Sequence, residues 1–140
     1  MEIKVGIGLG EIRFGMSIDT VQNKLGKPDR TRQGQDSLLL QYNDLRSMLW
    51  FNPDLCLHWI QCSHVESMLF NRMVIGEAVQ PILSIIETEL NASYEMEDYD
   101  SMESYCFHDA ELELQAEYAT IAAICFGHLW EDDQPVYPSY

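Results

Sequence analysis

The first half of the chain carries one helical stripe followed by three strand-like runs. Ile18, Val21 and Leu25 recur at spacings of three and four, which predicts a helix with these residues on its buried side. Ser17 occupies the expected N-cap position, and Gly26 follows the last apolar residue, where helices commonly end. The predicted elements are a helix at 18–25 and, separated by turn residues, strands at 37–42, 45–51 and 55–62.

The second half shows the same succession. Its predicted elements are a helix at 77–90 and strands at 92–96, 102–108, 111–117 and 119–126. Pro81 is expected near the first turn of this helix or at a kink. Segments 18–25 and 76–83, when aligned, share an acid, a Val-Gln pair and a Leu, which indicates an internal repeat.

These elements predict an α+β fold in a single domain, residues 1–140. The domain is expected to contain two pseudo-repeats of a helix plus an antiparallel meander, about 1–63 and 64–127, linked near 63–71. The meanders are expected to form one sheet with the helices on one face. Several strands are apolar on both parities, so the other face is expected to be covered or used. Residues 128–140 contain two prolines and no periodicity, which predicts an extended C-terminal tail.

Gly6, Gly8 and Gly10 precede the first helix with a spacing that differs from the G-x-G-x-x-G of a dinucleotide site. No strand of a βαβ unit precedes them, so we expect these glycines to supply unusual backbone angles rather than to bind phosphate.

A longer pattern starts at these glycines and resembles the opening segment of small bacterial proteins related in fold to SmpA and the β-lactamase inhibitor protein. The matching positions are Gly6, Gly8, Gly10, Ile12, Gly15, Met16, Ser17, Val21, Leu25, Gly26 and Pro28, followed by Tyr42, Leu49, Phe51 and Asp54. The resemblance is good over residues 3–62 and faint beyond them.

The resemblance implies a tandem αβββ architecture whose sheet is concave on the side away from the helices. Inhibitor proteins of this group bind their targets with that surface, and the resemblance implies no catalysis. Bacterial immunity proteins, which neutralise toxins in the cytosol, have similar size and acidity, a likeness of surface and fold alone.

Charge narrows the range of partners. The chain has 23 Asp and Glu against 8 Lys and Arg, a formal net charge of −15. Binding of nucleic acid or anionic lipid requires a basic surface, so both are disfavoured and a basic protein partner is favoured. The chain also has 3 Trp, 7 Tyr and 5 Phe, mostly within patterned segments, so the charge is expected on the surface of a folded body.

The acids concentrate in the second half. On the predicted strand 111–117, Glu111, Glu113 and Glu117 share one parity while Leu112 and Leu114 share the other, which predicts a carboxylate face. Like charges in a row are unfavourable unless cations of a partner neutralise them. Aromatic side chains are frequent anchors of interfaces. The candidate partner-binding residues are therefore Glu95, Glu97, Asp98, Tyr99, Asp100, Glu103, Asp109, Glu111, Glu113, Glu117 and Trp59.

Metal and nucleophilic chemistry are weakly supported by the cysteines and histidines. Cys56 and His58 form one close pair and Cys62 and His64 another, but pairs on one strand leave each site short of ligands. A catalytic thiol needs a positive setting, and the surrounding carboxylates would raise the thiol pKa instead. We therefore expect no metal and no cofactor, with the four cysteines as reduced core residues.

These observations favour a binding protein that is not an enzyme. Because no signal-peptide pattern is present, a cytoplasmic location is expected. The favoured function is an immunity protein that inhibits a basic toxin, a nuclease by preference, by covering its active site. Three alternatives stay open: a nucleic-acid mimic that inhibits a defence enzyme, a small-molecule-binding domain or enzyme that uses the concave sheet face, and a housekeeping scaffold.

Overall fold

The computed structural model describes residues 1–139, so Tyr140 of the predicted tail lies outside the described residues. The first half contains β1 (Glu2–Lys4), β2 (Gly8–Leu9), β3 (Ile12–Arg13), α1 (Ile18–Leu25), β4 (Arg30–Gln33), β5 (Leu38–Tyr42), β6 (Ser47–Phe51) and β7 (Leu57–Cys62). The second half contains β8 (Met68–Leu69), β9 (Arg72–Met73), α2 (Val79–Leu90), β10 (Glu95–Asp98), β11 (Glu103–Phe107), a 3₁₀ helix (His108–Ala110), β12 (Leu112–Glu117) and β13 (Thr120–Gly127). Two short strands follow, β14 (Leu129–Glu131) and β15 (Gln134–Val136).

An eight-stranded antiparallel sheet forms the body of the molecule, in the order β10-β11-β12-β13-β7-β6-β5-β4. The two meanders therefore meet through their last strands, where Phe126 pairs with Ile60 and Gly127 pairs with Trp59. With two helices beside this sheet, the fold class is α+β. Strand β4 was not predicted, because its sequence RTRQ is polar throughout and all four residues are exposed.

A second sheet, which the sequence patterns did not predict, has the order β3-β2-β1-β8-β9. Its strands have two or three residues each, too few to show an alternating pattern in the sequence. The segment 63–71, predicted as a linker, contributes β8 to this sheet. Gly8 is required there because a Cβ atom at this position would lie 1.9 Å from the Ile12 carbonyl oxygen.

The helices agree with the sequence patterns. Helix α1 has the predicted bounds, and the Ser17 hydroxyl accepts a hydrogen bond from the Thr20 amide at 3.2 Å. Helix α2 begins at Val79, two residues later than predicted, with Pro81 in its first turn. Its capping residue, Ala78, offers no side-chain acceptor. Both helices contribute to one core with the sheet through their buried residues Val21, Val79, Ile82, Leu83 and Ile86.

Each helix is preceded by backbone that bonds to a sheet strand in the same way. The Gly15 amide donates to the Leu57 carbonyl at 2.8 Å, and the Gly76 amide donates to the Ile121 carbonyl at 2.8 Å. The return bonds, from the Leu57 amide to Met16 and from the Ile121 amide to Glu77, are both 2.9 Å. Gly15 and Gly76 thus make equivalent backbone bonds, a match that is offset by three residues from the sequence alignment of 18–25 with 76–83.

The predicted extended tail is in fact a hairpin for most of its length, because β14 pairs with β15. Its turn, Asp132 and Asp133, has positive φ values of 51° and 61°, which suit a tight hairpin turn. His128, which precedes the hairpin, is 5% exposed and lies with its ring centroid 4.7 Å from that of Trp130. The His128 ring also packs edge-on against Phe14 of the body, with 6.4 Å between the ring centroids, so aromatic contacts connect this segment to the body although it lacks periodicity.

Candidate functional site

The eight-stranded sheet presents one face to the core and leaves the other open. Residues on one parity are buried in the hydrophobic core, as shown by Leu40, Leu49, Ile60, Leu114 and Ile124. Most residues on the other parity are half-buried, although Ser104 and Cys125 are buried, and together they form the surface called the open face below. Its central members are Leu39, Gln41, Met48, Trp50, Trp59, Gln61, Cys106, Glu113 and Gln115.

Strand register places the charges of the open face at its two ends. One row of paired residues crosses the whole sheet: Arg30, Gln41, Met48, Gln61, Cys125, Glu113, Cys106 and Glu95. The neighbouring row brings Arg32, Leu39, Trp50 and Trp59 together. The open face is therefore basic along β4, apolar and aromatic at the centre, and acidic towards β10.

A shallow pocket of about 140 Å³ lies at the acidic end of the open face. Four predicted residues line it: Trp59, Tyr99, Glu111 and Glu113. The Tyr99 hydroxyl donates to the Glu97 carboxylate, which raises the pKa of Tyr99. The sequence prediction thus included residues that the structure brings together from three separate segments.

A hydrogen bond holds Glu113 in the lining of this pocket. The Ser104 hydroxyl, 2% exposed, donates to one oxygen of the Glu113 carboxylate. Burial, followed by the charge of Glu113, raises the pKa of the Cys125 thiol far above its ordinary value. Burial is also the main cause that raises the thiol pKa of Cys106, and the charge of Glu113 raises it further. Both thiols are therefore protonated at neutral pH, as the sequence indicated from the surrounding carboxylates.

Trp59 lies against the backbone of the adjoining strand. A Cβ atom on Gly127 would lie 2.5 Å from a Trp59 ring carbon, so only glycine leaves room for this ring position. The indole is half-buried on the open face. This placement is typical of aromatic residues that anchor an interface.

Other predicted acids are placed differently from the sequence prediction. Glu111 is not part of the carboxylate strand, because it precedes β12 with a left-handed φ of 51°. Glu117 is exposed at the far end of β12. Asp98 and Glu103 are cross-strand neighbours, and both lie on the side of the sheet that faces the core. They therefore point away from the open face.

The two remaining acids occupy turns. Asp100 lies between β10 and β11 with a φ of 64°, and its amide donates to the Asp98 carboxylate at 3.1 Å. Asp109, in the 3₁₀ helix, lines a different pocket on another side of the molecule. The proposed partner surface is therefore smaller than the sequence suggested, because strand alternation and turns separate acids that are close in sequence.

The second pocket is larger and mainly apolar, with a volume of about 600 Å³. It is lined by Glu2, Ile3, Lys4, Val5, Ile7, Phe70, Asn71, Leu90, Ala92, Asp109, Ala110 and Leu129. It lies between β1, the end of α2 and the 3₁₀ helix, away from the open face that the small-molecule alternative would use.

Burial and neighbouring histidines shift the pKa values of His58 and Glu111. Burial, followed by the charge of His128, lowers the pKa of His58. Its Nδ1 atom is buried without a hydrogen-bond partner among residues 1–139. Burial raises the pKa of Glu111, while His128 and His108 oppose that effect. Within the described part of the chain, His, Cys, Asp and Glu form no group of three or more suited to a metal ion.

Comparisons with known proteins show a likeness of fold. No protein-family model matches the chain, and no curated protein matches its sequence. The structure is similar to an extracellular protein containing an SCP domain from Bacillus anthracis str. Ames, with a TM-score of 0.54 and 12% sequence identity. The match covers 99% of this chain and 55% of that one, so the chain spans about half the length of that protein. At this identity the likeness shows the fold alone.

Neither helix of residues 1–139 is both long enough and apolar enough to cross a membrane.

Proposed function

We propose that this chain is a cytoplasmic binding protein that inhibits a basic toxin, a nuclease, by covering its active site. The carboxylates at the acidic end of the open face take the place of nucleic-acid phosphates, and Trp59 supplies apolar contact area. The observation that carries the proposal is the pocket in which Trp59, Tyr99 and Glu113 converge beside Glu97.

The proposal includes an architecture of two tandem units, each consisting of a short hairpin, a helix and a four-stranded meander, with both helices on one face. The order of a hairpin, a helix and four strands, which β2 to β7 share with β8 to β13, supports it. So do the matching backbone bonds of Gly15 and Gly76, and the single core that includes both helices. The proposed relation to the SmpA and β-lactamase inhibitor protein group rests on the opening glycine pattern and this order.

Charge and geometry support occlusion. The net charge of −15 attracts a basic partner over long distances and accelerates encounter. At contact, the half-buried Glu113 is held by Ser104, so little side-chain freedom is lost when a partner cation binds it. Trp59 lies beside this carboxylate in the same pocket, which places an apolar anchor next to a charged one.

The test uses the protein encoded by the adjacent reading frame as the probe, because immunity proteins are commonly encoded beside their toxins. Cleavage of DNA or RNA by that protein is measured with and without this chain. We expect cleavage to stop at equimolar inhibitor and the association rate constant to fall about tenfold or more between low and high salt. Glu113→Gln should raise the dissociation constant by about 10-fold or more.

The exposed acids Asp36 and Glu66 provide matched controls, because both lie in loops away from the pocket. Asp36→Asn and Glu66→Gln remove the same charge and should change the dissociation constant by less than about twofold. Cleavage that continues unchanged in the presence of this chain would contradict the proposed inhibition. An equal loss of affinity in all three variants would show that total charge, rather than the pocket, determines binding.

A further inference from the structure

The eight-stranded sheet ends in two edge strands of equal length. Strands β4 (Arg30–Gln33) and β10 (Glu95–Asp98) each have four residues, and all eight residues are exposed. Each strand pairs on one side only, β4 with β5 and β10 with β11, among residues 1–139. The outer side of each strand therefore presents backbone N–H and C=O groups that can extend the sheet.

The two edges carry opposite charges on the same face. Arg30 and Arg32 pair across β5 with Gln41 and Leu39, so they project on the open face. On β10, Glu95 and Glu97 pair with Cys106 and Ser104, which places both carboxylates on the open face as well. One edge is thus basic and the other acidic, with the same two-residue spacing between charges.

Strand direction makes the edges complementary. All seven strand pairs of this sheet are antiparallel, so β4 and β10, at opposite ends of eight strands, run in opposite directions. A second copy placed beside the first in the same orientation therefore brings its β10 antiparallel to the first copy's β4. The open faces of the two copies then lie on the same side of a continuous sheet.

Register brings the charges into opposition. When Arg30 of one copy lies opposite Glu97 of the next, antiparallel pairing puts Arg32 opposite Glu95. Opposite charges across an antiparallel pair stabilise it, and like charges in the same position destabilise it. Pairing of β4 with β4 would oppose arginines, and pairing of β10 with β10 would oppose glutamates. The charges therefore favour the mixed contact over both symmetric ones.

We propose that this chain associates head to tail with further copies of itself, by addition of β10 of one copy to β4 of the next. The contact is heterologous, so it extends into open chains rather than closing as a two-fold dimer. The existing contacts of the two acids are exposed and exchangeable: Glu95 lies 3.5 Å from His108, and Glu97 accepts from Tyr99.

The net charge of −15 opposes this association, and the short strands limit its strength. Two copies repel each other at low ionic strength, but at about 0.15 M salt, charges more than about 8 Å apart are largely screened. The opposed Arg and Glu side chains are much closer than this and keep most of their attraction. Four-residue strands bury little area, so we expect association in the range of about 0.1–1 mM.

Sedimentation at about 0.15 M salt, from roughly 10 µM to 1 mM protein, tests the proposal with charge exchanges at exposed positions. The wild-type chain should show a mean mass that increases with concentration past that of a dimer. R30E/R32E and E95R/E97R should each remain monomeric, because each has two edges of one sign. Circular dichroism of each variant checks that it is folded.

Two experiments that restore opposite charges at the edges distinguish edge pairing from an effect of net charge. An equimolar mixture of R30E/R32E and E95R/E97R should associate, because each then meets an edge of opposite sign. The quadruple variant R30E/R32E/E95R/E97R keeps the net charge of −15 and should associate as the wild type does. A wild-type chain that is monomeric at about 1 mM, a mass that stops at the dimer, or failure of both restorations would overturn the proposal.

Discussion

At the scale of single residues, Glu113 combines two features that the sequence patterns did not connect. It is an acid of the proposed binding surface, and it is also the carboxylate that lies beside the Cys106 and Cys125 thiols. Burial is the main cause that disfavours a thiolate at either position, and the negative charge of Glu113 adds to it. A residue of the proposed binding surface thus also helps to keep the neighbouring thiols protonated.

This arrangement predicts the reactivity of Cys106. Glu113→Gln removes a negative charge, so the pKa of Cys106 should fall while remaining above its ordinary value, because burial is the larger cause. A lower pKa gives more thiolate at a fixed pH, and alkylation of Cys106 at about pH 8 should be roughly two- to fivefold faster. Mass spectrometry of the Cys106 peptide measures the rate.

Glu66→Gln is the control, since Glu66 lies in an exposed loop and is not a cause of the Cys106 pKa shift. The same acceleration in Glu66→Gln would show that total charge rather than the adjacent carboxylate controls the thiol. An unchanged rate in Glu113→Gln would contradict the assigned electrostatic cause.

At the scale of elements, the two helices differ in how they begin. Ser17 caps α1 through the Thr20 amide, whereas Ala78 precedes α2 without a side-chain cap. The backbone leading into each helix bonds to the sheet in the same way, so the difference is confined to the cap residue. An N-cap oxygen satisfies an otherwise free amide at the helix start.

Exchange of the cap residues should therefore shift stability in opposite directions. Ser17→Ala should lower the free energy of unfolding by about 1 kcal/mol, and Ala78→Ser should raise it by about 0.5–1 kcal/mol. Urea unfolding followed by circular dichroism measures both. Ser93→Ala, at an exposed position outside the helices, should leave the unfolding midpoint almost unchanged. Destabilisation by Ala78→Ser would show that the serine cannot reach a free amide of α2.

At the scale of the whole molecule, most of the negative charge is not neutralised by ion pairs. Within residues 1–139, the charged contacts under 4 Å are Lys4 with Glu2 at 3.8 Å and His108 with Glu95 at 3.5 Å. Both contacts are exposed, and exposed ion pairs contribute little to stability. The net charge of −15 therefore acts mainly as repulsion within the folded chain.

Salt should consequently stabilise the fold. Raising NaCl from about 20 mM to about 300 mM shortens the screening length, so Tm should increase by a few degrees. R30E/R32E makes the charge more negative and should show a larger increase, while E95R/E97R should show a smaller one. Calorimetry at low protein concentration measures the three Tm values. Equal increases in all three proteins would indicate that salt acts on the fold by a cause other than charge repulsion.

The sequence by itself determined the elements whose signals are local. Helix α1 agrees to the residue, because the Ile18, Val21 and Leu25 stripe and the Ser17 cap lie within ten residues. The strands β5 to β7 and β11 to β13 also agree within about two residues, since alternation and turn residues mark them. The acidity of the second half could likewise be read directly from the chain.

Only the tertiary structure decided the relations between distant segments. The meeting of β7 with β13, the sheet of two- and three-residue strands and the C-terminal hairpin depend on contacts between residues far apart in sequence. The same is true of the pocket that joins Trp59 to Glu113, and of the separation of Asp98 and Glu103 from it. Strand register fixes which acids share a face, and register is a property of paired strands rather than of one segment.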